Sequence, residues 1–292
     1  MNPPNIRVIA RLDVKGPNLV KGIHLEGLRA LGSPETFAKY YATNGIDEIF
    51  YQDVVASLYN RNSLHDCISK TAKASFIPIT VGGGLRTLDD IRNVLRAGAD
   101  KVALNTAAIS NPELIRDAAN AFGSSTIVVA IEAIKQADGR YLAYTDNGRE
   151  ETTKEVSAWA VQASELGAGE ILLTSVDRDG TGSGFDLQLT RMISQKLAIP
   201  VIAHGGAATE AHVAEVITKG SADAVALASL LHYSAIKQLE RPKANGGEGN
   251  FEFINSSKMY GRFTDTTISS IKTYLAEQKI KCRPMNEESV PR

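Results

Sequence analysis

Residues 77–84 of the chain read Ile-Pro-Ile-Thr-Val-Gly-Gly-Gly, and residues 199–206 read Ile-Pro-Val-Ile-Ala-His-Gly-Gly, 122 residues later. Two further pairs of segments repeat at nearly the same distance: residues 98–104 with 221–227, and residues 45–49 with 167–171. Chance similarity between unrelated segments does not produce three pairs with one offset. The sequence therefore indicates an internal duplication in which each copy covers about half of the chain.

Eight short, β-branched runs alternate with stretches of helical spacing. The predicted strands are Ile6–Asp13, Glu48–Asp53, Ile77–Val81, Lys101–Asn105, Thr126–Glu132, Glu170–Ser175, Ile199–His204 and Ala224–Ala228. Helix start signals, such as Ser33-Pro34-Glu35, lie between them. Regular alternation predicts a parallel sheet, and eight units with no GxGxxG turn after the first strand favour a closed barrel over an open sheet. The fold prediction is a single α/β (β/α)8 TIM barrel made of two half-barrel repeats.

The alternating pattern stops after Leu231. We expect one barrel domain over residues 1–280, with an inserted, turn-rich loop near residues 240–262 and a flexible tail over residues 281–292. Helical spacing returns over Phe263–Gln278 and predicts the last outer helix.

Composition excludes several classes of protein. The 292 residues are 43% hydrophobic and 22% charged, and the net charge is −1, so bulk charge does not favour binding to nucleic acid or to an anionic membrane. The longest strongly apolar run, Ala224–Leu231, is too short to span a bilayer, and the first four residues do not resemble a signal peptide. Cys67 and Cys282 form no CxxC pair. We expect a cytoplasmic protein with no metal and no cofactor.

Two acidic residues end predicted strands in matching halves of the repeat. Asp13 ends the first strand and Glu132 the fifth, so pseudo-symmetry places them on opposite sides of the barrel mouth, where active sites of this fold lie. Two facing carboxylates can divide into a general acid and a general base. The alternative is that each carboxylate only caps a nearby backbone N–H; their symmetric placement favours catalysis.

Two glycine-rich segments predict anion sites. Gly82–Gly84 is followed by Asn105 and Thr106 after the next strand, and Gly205-Gly206 is followed in the same way by Ala228 and Ser229. Glycines allow backbone N–H groups to approach an anion, and the helix N-termini that follow favour negative charge. Two such sites, related by the repeat, predict a ligand that carries a phosphate at each end.

Two loops at the same end are candidates for substrate binding. One comprises residues 174–184 and is rich in glycine and short polar side chains; the other comprises residues 16–33 and carries Lys21, which could reach over a bound anion. His204 ends the seventh strand and either contacts substrate or packs in the core. Trp159 lies in a helical pattern and is expected to pack.

These motifs together resemble the cyclase subunit of imidazole glycerol phosphate synthase, over about Arg7 to Tyr233. The resemblance is carried by Leu12–Lys15, Leu19–Gly22, Thr80–Gly84, Gly98–Val102, Asn105–Ala108, Gly167–Ser175 and Asp177–Thr181. It implies a (β/α)8 barrel that takes ammonia from a glutaminase subunit. The ammonia is added to a phosphoribulosyl-formimino aminoimidazole carboxamide ribonucleotide, which has two phosphates, to give imidazole glycerol phosphate in histidine biosynthesis.

The resemblance also implies roles for individual residues. Asp13 matches the catalytic aspartate of the first strand, and Glu132 stands in place of the second. The implied substrate- and phosphate-binding residues are Lys21, Gly84, Asn105, Thr106, Asp179, Gly180, Gly206, Ala228 and Ser229. Four charged residues match the ring through which ammonia enters the opposite end of the barrel: Arg7, Glu48, Lys101 and Glu170. An ordinary salt-bridge cluster is the alternative for these four.

Three departures from the family pattern bear on activity. Glu132 is one methylene longer than the aspartate it replaces, Arg11 occupies a position that is usually small or apolar, and the chain after Tyr233 is longer. By strand alternation Arg11 points into the barrel with Asp13, and a buried arginine needs a carboxylate, Glu132 or Asp13. The departures, with residues 144–150, are similar to a divergent branch associated with surface-polysaccharide loci.

Three functions remain open from the sequence. The first is the synthase cyclase itself. The second is an ammonia-delivering partner for sugar amidination that is not itself a cyclase. The third is a related barrel that isomerises the same bisphosphate by an Amadori rearrangement; this function would need paired carboxylates and two phosphate sites but no charged ring, so the ring disfavours it.

Overall fold

A computed structural model describes residues 5–56, 65–74, 76–239 and 263–284. In this part of the chain the strands are β1 (Arg7–Lys15), β2 (Asn18–Ile23), β3 (Glu26–Gly32), β4 (Glu48–Asp53), β5 (Ile79–Gly82), β6 (Lys101–Leu104), β7 (Ile127–Lys135), β8 (Tyr141–Thr145), β9 (Glu150–Glu155), β10 (Glu170–Ser175), β11 (Val201–His204) and β12 (Ala224–Leu227). The helices are α1 (Pro34–Thr43), α2 (His65–Ala74), α3 (Leu88–Arg96), α4 (Thr106–Ser110), α5 (Glu113–Phe122), α6 (Val156–Glu165), α7 (Leu187–Ser194), α8 (Glu210–Thr218), α9 (Ser229–Gln238) and α10 (Ile268–Glu277).

Eight of these strands form a closed parallel barrel. Their order is β1-β4-β5-β6-β7-β10-β11-β12, and β12 pairs with β1 to close the ring. Helices connect successive barrel strands, so the predicted (β/α)8 fold is confirmed. The predicted strand positions agree within a few residues; β1 and β7 are longer than expected because each continues into an antiparallel hairpin.

The hairpins are formed by β2 with β3 and by β8 with β9. Residues 16–33, which the sequence suggests are a loop, therefore extend β1 as a sheet above the barrel mouth. Two turns hold non-glycine residues at positive φ: His24 (φ 53°) and Leu25 (φ 62°) in the first, and Asp146 (φ 51°) and Asn147 (φ 62°) in the second. Both hairpins lie at the carboxyl ends of the strands, beside the expected site.

The core consists of two layers. Alternate residues of each strand face outward and pack against the helices, where Trp159 is buried as expected. The residues between them face inward and form an apolar plug inside the barrel: Ile9, Phe50, Ala103, Val128, Ala130, Leu172, Ile202, Ala224 and Ala226. The inward positions of β1 are Arg7, Ile9, Arg11 and Asp13, so charged groups lie on both sides of this plug.

The C-terminal segment is bound to the opposite end of the barrel. Helix α10 occupies part of the stretch predicted to be helical. After it, the carbonyl of Lys281 accepts a hydrogen bond from Ile6 N (2.8 Å), and Arg283 pairs with Asp47 (2.8 Å). The inserted loop expected near residues 240–262, and residues 285–292 of the expected tail, lie outside the described residues. Within the described ranges, no helix is long and apolar enough to cross a membrane.

Candidate active site

Asp13 and Glu132 lie at the carboxyl ends of β1 and β7, which are four strands apart in the ring of eight. Their strands therefore lie on opposite sides of the barrel, as the repeat predicts. Both side chains are buried. Glu132 accepts a hydrogen bond from Gly148 N in the turn between β8 and β9 (2.8 Å), so the second hairpin helps to hold this carboxylate in place.

Arg11 pairs with Asp13 rather than with Glu132. Its Nε lies 2.9 Å from Asp13 Oδ1, and its Nη1 donates to Thr174 Oγ1 at 3.2 Å. Lys21 Nζ lies 3.5 Å from the other oxygen of Asp13. Of the two partners that the sequence leaves open for Arg11, the structure selects Asp13.

The two carboxyl groups differ in pKa because their neighbours differ. Burial disfavours the charged form of Asp13, but Arg11 and Lys21 outweigh it and lower the pKa of Asp13 below its ordinary value. Burial raises the pKa of Glu132 to about 7, although Arg11 and the Gly148 N–H act in the opposite direction. At neutral pH, Asp13 is therefore ionised and Glu132 exchanges between its protonated and ionised forms.

The first predicted anion site opens into a cavity of about 330 Å³. Gly84, Asn105 and Thr106 all line this cavity, together with Arg11 and Glu132. Thr106 is the first residue of α4, and its Oγ1 accepts a hydrogen bond from Asp146 N (3.2 Å). The structure thus brings the predicted anion site, Glu132 and Arg11 to one cavity, while Asp13 lies behind Arg11, with which it is paired.

The second predicted anion site is much smaller. Asp179, Gly180, Gly206, Ala228 and Ser229 surround a cavity of only about 10 Å³, which has room for about one water molecule. The β2–β3 hairpin packs closely on Gly180, whose φ is +71°: a side chain there would collide with the carbonyl of Gly22. Ser229 Oγ is buried here without a hydrogen-bond partner among the described residues.

Lys21 is placed differently from the expectation that it reaches over an anion. Its Nζ is buried and lies 2.7 and 2.9 Å from the two carboxylate oxygens of Asp179. This pairing holds the pKa of Asp179 well below its usual range, against the effect of burial. His204 is packed next to it, with Nε2 3.4 Å from Asp179 and Nδ1 2.8 Å from the carbonyl of Ala226, and burial lowers its pKa.

Two residues of the site lie in segments that the sequence singled out, Thr174 in the candidate loop 174–184 and Asn147 in residues 144–150, but no contact or role was predicted for either of them. Thr174, at the end of β10, accepts the hydrogen bond from Arg11, and Asn147 donates to the carbonyl of Leu25 (2.9 Å), which joins the tips of the two hairpins. Asn147-Gly148 is a common hairpin-turn sequence and could have identified the second hairpin. Nothing in the sequence around Thr174 indicated that it would bind Arg11. Within the described ranges, no group of three His, Cys, Asp or Glu side chains could hold a metal ion.

The four ring residues meet at the other end of the barrel. Arg7 contacts Glu48 (2.8 Å) and Glu170 (3.0 Å), and Lys101 contacts Glu170 (3.0 Å) and Glu48 (3.5 Å), so charges alternate around the opening. Thr80 Oγ1 also donates to Glu48 (2.5 Å). These contacts close the opening with a ring of ion pairs below the apolar plug.

Comparisons with known proteins agree with this architecture. The family model described as histidine biosynthesis protein matches residues 7–237. The chain is 56% identical over 202 residues to imidazole glycerol phosphate synthase subunit HisF of Legionella pneumophila, covering 69% of this chain and 95% of the relative. It is 46% identical over 230 residues to the protein of the same name from Alkaliphilus metalliredigens, covering 79% of this chain and 91% of the relative. The chain therefore belongs to the histidine biosynthesis protein family.

Proposed function

We propose that this chain is the cyclase subunit of an imidazole glycerol phosphate synthase. It uses ammonia from a glutaminase subunit to convert the bisphosphate phosphoribulosyl-formimino aminoimidazole carboxamide ribonucleotide into imidazole glycerol phosphate and aminoimidazole carboxamide ribonucleotide. The observation that carries the proposal is the pair of buried carboxylates on opposite strands of the barrel, whose pKa values are shifted in opposite directions, with Glu132 lining the predicted anion site, in a chain with two HisF relatives.

Glu132 and Asp13 have different tasks in this reaction. A carboxyl group with a pKa of about 7 is suited both to donate a proton to a leaving group and to take one from the attacking amine at neutral pH. Asp13 remains ionised and is suited to stabilise positive charge that develops on nitrogen as ammonia adds. The apolar plug below prevents water from reaching the site through the barrel, and Glu132 lines the cavity that opens at the mouth.

Backbone groups and short hydroxyl side chains anchor the substrate's phosphates. One phosphate binds at Gly84, Asn105 and Thr106, whose cavity is open. The other binds at Gly180, Gly206, Ala228 and Ser229, with Asp179 and Lys21 next to it. That cavity is small, and Ser229 Oγ, which has no hydrogen-bond partner among the described residues, is available to a phosphate there.

The glutaminase subunit docks at the end of the barrel that carries the charged ring, so the working form is a heterodimer, which we place in the cytoplasm. The ring, comprising Arg7, Glu48, Lys101 and Glu170, lies on the barrel axis, and alternating charges can separate to pass small neutral ammonia without leaving any charge unpaired. This placement favours a gate over the alternative interpretation of the four residues as an ordinary salt-bridge cluster.

One observation favours the second function, ammonia delivery to a sugar amidotransferase without cyclisation. Both Arg11 and Lys21 contact Asp13, so this carboxylate is less available than an unpaired one. The pairing that would most impair acid–base chemistry, Arg11 with Glu132, is not the one formed. This supports the cyclase over the conduit.

Ammonia-driven turnover of the histidine-pathway bisphosphate by the purified chain tests the proposal. The parent should form imidazole glycerol phosphate, detected by mass spectrometry, and Asp13→Asn and Glu132→Gln should each lose most of this activity. Asp117→Asn and Glu165→Gln, which change exposed acidic residues, should retain it. No turnover by the parent at saturating ammonia would overturn the cyclase in favour of the conduit.

A further inference from the structure

Arg11 is held in one orientation by groups from three barrel strands. Its side chain is only 2% exposed, and it bonds Asp13 on its own strand and Thr174 on β10. The guanidinium carbon lies 6.0 Å from the centre of the Phe50 ring on β4. A planar group fixed on three sides presents its charge to a defined point, unlike a flexible surface side chain.

The charges around the two catalytic candidates are unequal because of this placement. Arg11, Lys21, Asp179 and His204 face Asp13, and two of these are cations within 3.5 Å of its carboxylate. Arg11, Asp13 and Asp146 face Glu132, and its direct contact is the neutral N–H of Gly148.

Two buried carboxylates whose charges interact, as those of Asp13 and Glu132 do, compete for a proton, and either one can hold it when their surroundings are equivalent. The direct ion pair between Arg11 and Asp13 removes this equivalence. The proton is then kept on the side of the cavity that carries Glu132, next to Asn105 and Thr106.

We propose that Arg11 is a positioning residue that assigns the two acids their roles, keeping Asp13 as the fixed anion and leaving Glu132 as the group that exchanges a proton with the substrate. The inference rests on the proposed function for its catalytic meaning. The assignment of the proton itself concerns the chain without substrate and can be measured independently of turnover.

Carbon-13 NMR titration of the side-chain carboxyl groups in the full-length chain measures this assignment. The Glu132 signal is identified by its loss in Glu132→Gln. In the parent we expect Glu132 to titrate with a midpoint near 7, while Asp13 stays ionised to below its ordinary range.

Two variants should shift Glu132 in opposite directions. Arg11→Met removes a cation and should raise the Glu132 midpoint by about one unit, and it should raise the Asp13 midpoint as well. Asp13→Asn removes a negative charge and frees Arg11 to act on Glu132, so the Glu132 midpoint should fall by about one unit. Arg11→Lys retains the charge and should lie between the parent and Arg11→Met.

The opposite signs separate positioning from a merely structural role. A loosened fold would move both variants toward the ordinary value of a solvated glutamate, and circular dichroism would reveal the loosening. A Glu132 midpoint that is unchanged in both variants, or that moves the same way in both, would overturn the inference. If the two variants show the expected opposite shifts but the parent chain shows no turnover, the proton assignment is supported and the proposed cyclase is rejected.

Activity provides the second readout. When kcat of the ammonia-driven reaction is plotted against pH, the limb of the profile that is due to Glu132 should lie at higher pH in Arg11→Met than in the parent. This shift should equal the shift of the NMR midpoint, and Arg11→Lys should show a smaller one. An Arg11→Met enzyme whose rate falls equally at every pH, with no shift of the profile, would also contradict the positioning role.

Discussion

Lys21 and Asp179 form a buried ion pair between the β2–β3 hairpin and the loop after β10, with Nζ 2.7 Å from Oδ2 and both side chains at most 2% exposed. The same carboxylate accepts a hydrogen bond from Leu25 N (3.3 Å), and the backbone carbonyl of Asp179 accepts one from His24 N (2.9 Å). One aspartate therefore satisfies a buried cation and two backbone donors of the hairpin tip.

Breaking this pair should destabilise the chain strongly. Removing one partner leaves a buried, uncompensated charge, so Lys21→Met and Asp179→Asn should each lower the free energy of unfolding by about 3–5 kcal/mol. The double variant should cost less than the sum of the two, because neither charge is left alone. Chemical denaturation of the four proteins measures the cycle.

Lys219 and Glu215 on α8 provide the matched control. They are also an ion pair at 2.7 Å, but both side chains are largely exposed. Lys219→Met should therefore change the free energy of unfolding by less than about 1 kcal/mol. Equal costs for Lys21→Met and Lys219→Met would show that the hairpin contact contributes no more than a surface pair.

The barrel was predictable from the sequence, whereas the hairpin was not. The barrel strands are continuous buried runs bounded by turn residues, so each is visible locally. The turn at His24 and Leu25 has positive φ in residues that are not glycine, and contacts from Asp179 and Val176, more than 150 residues away in the chain, hold it. No local pattern encodes such a contact.

The site shows the same division. Gly84, Asn105 and Thr106 follow adjacent strands, and barrel geometry alone brings them together. The contact of the hairpin with Gly180 and the small size of the second cavity could not be inferred from the glycines. Arg11 pairs with Asp13 and not with Glu132 because of the distances between side chains inside the barrel. The alternation of residues along a strand does not predict these distances.

Each phosphate of a bisphosphate ligand should depend on a different hydroxyl. Thr106→Val and Ser229→Ala each remove one donor that can bond a charged oxygen, so each should weaken binding of a bisphosphate analogue by about 1.5–3 kcal/mol. Because the cavity at Thr106 has a volume of about 330 Å³ and the cavity at Ser229 only about 10 Å³, a monophosphate should bind at the Thr106 end and lose affinity in Thr106→Val alone.

Isothermal titration calorimetry with mono- and bisphosphate analogues measures these affinities. Thr218→Val, on the exposed side of α8, is the control and should leave both unchanged. Equal affinity of the parent for the two analogues would reject the model of two phosphate sites.

The ring should affect only ammonia that arrives from the glutaminase. Lys101→Glu and Glu170→Lys each place like charges next to one another in the ring. These side chains then repel one another, and the ring opens. Glutamine-driven turnover in the complex with the glutaminase should fall relative to ammonia-driven turnover, and the double charge swap should restore part of the ratio. An unchanged ratio in both single variants would mean that the ring does not gate ammonia.

Glu132 should make stability depend on pH. Its pKa is raised by burial from an ordinary 4.5 to about 7 in the folded chain, so the folded state binds more protons than the unfolded state between these values. The stability that the protonated carboxyl contributes is present below about pH 4.5 and is lost as the pH rises through about 7, a change of about 3 kcal/mol.

Glu132→Gln removes this titration, because an amide remains neutral. The free energy of unfolding of the variant, minus that of the parent, should therefore increase by about 3 kcal/mol between about pH 5 and pH 8. This increase is independent of any difference in stability that the two proteins already have at low pH. Urea denaturation at a series of pH values measures the difference, and Glu165→Gln, on the exposed side of α6, should show no such trend. A difference between parent and Glu132→Gln that stays constant with pH would mean that Glu132 titrates in its ordinary range, and it would then be ionised at neutral pH and unable to act as the acid.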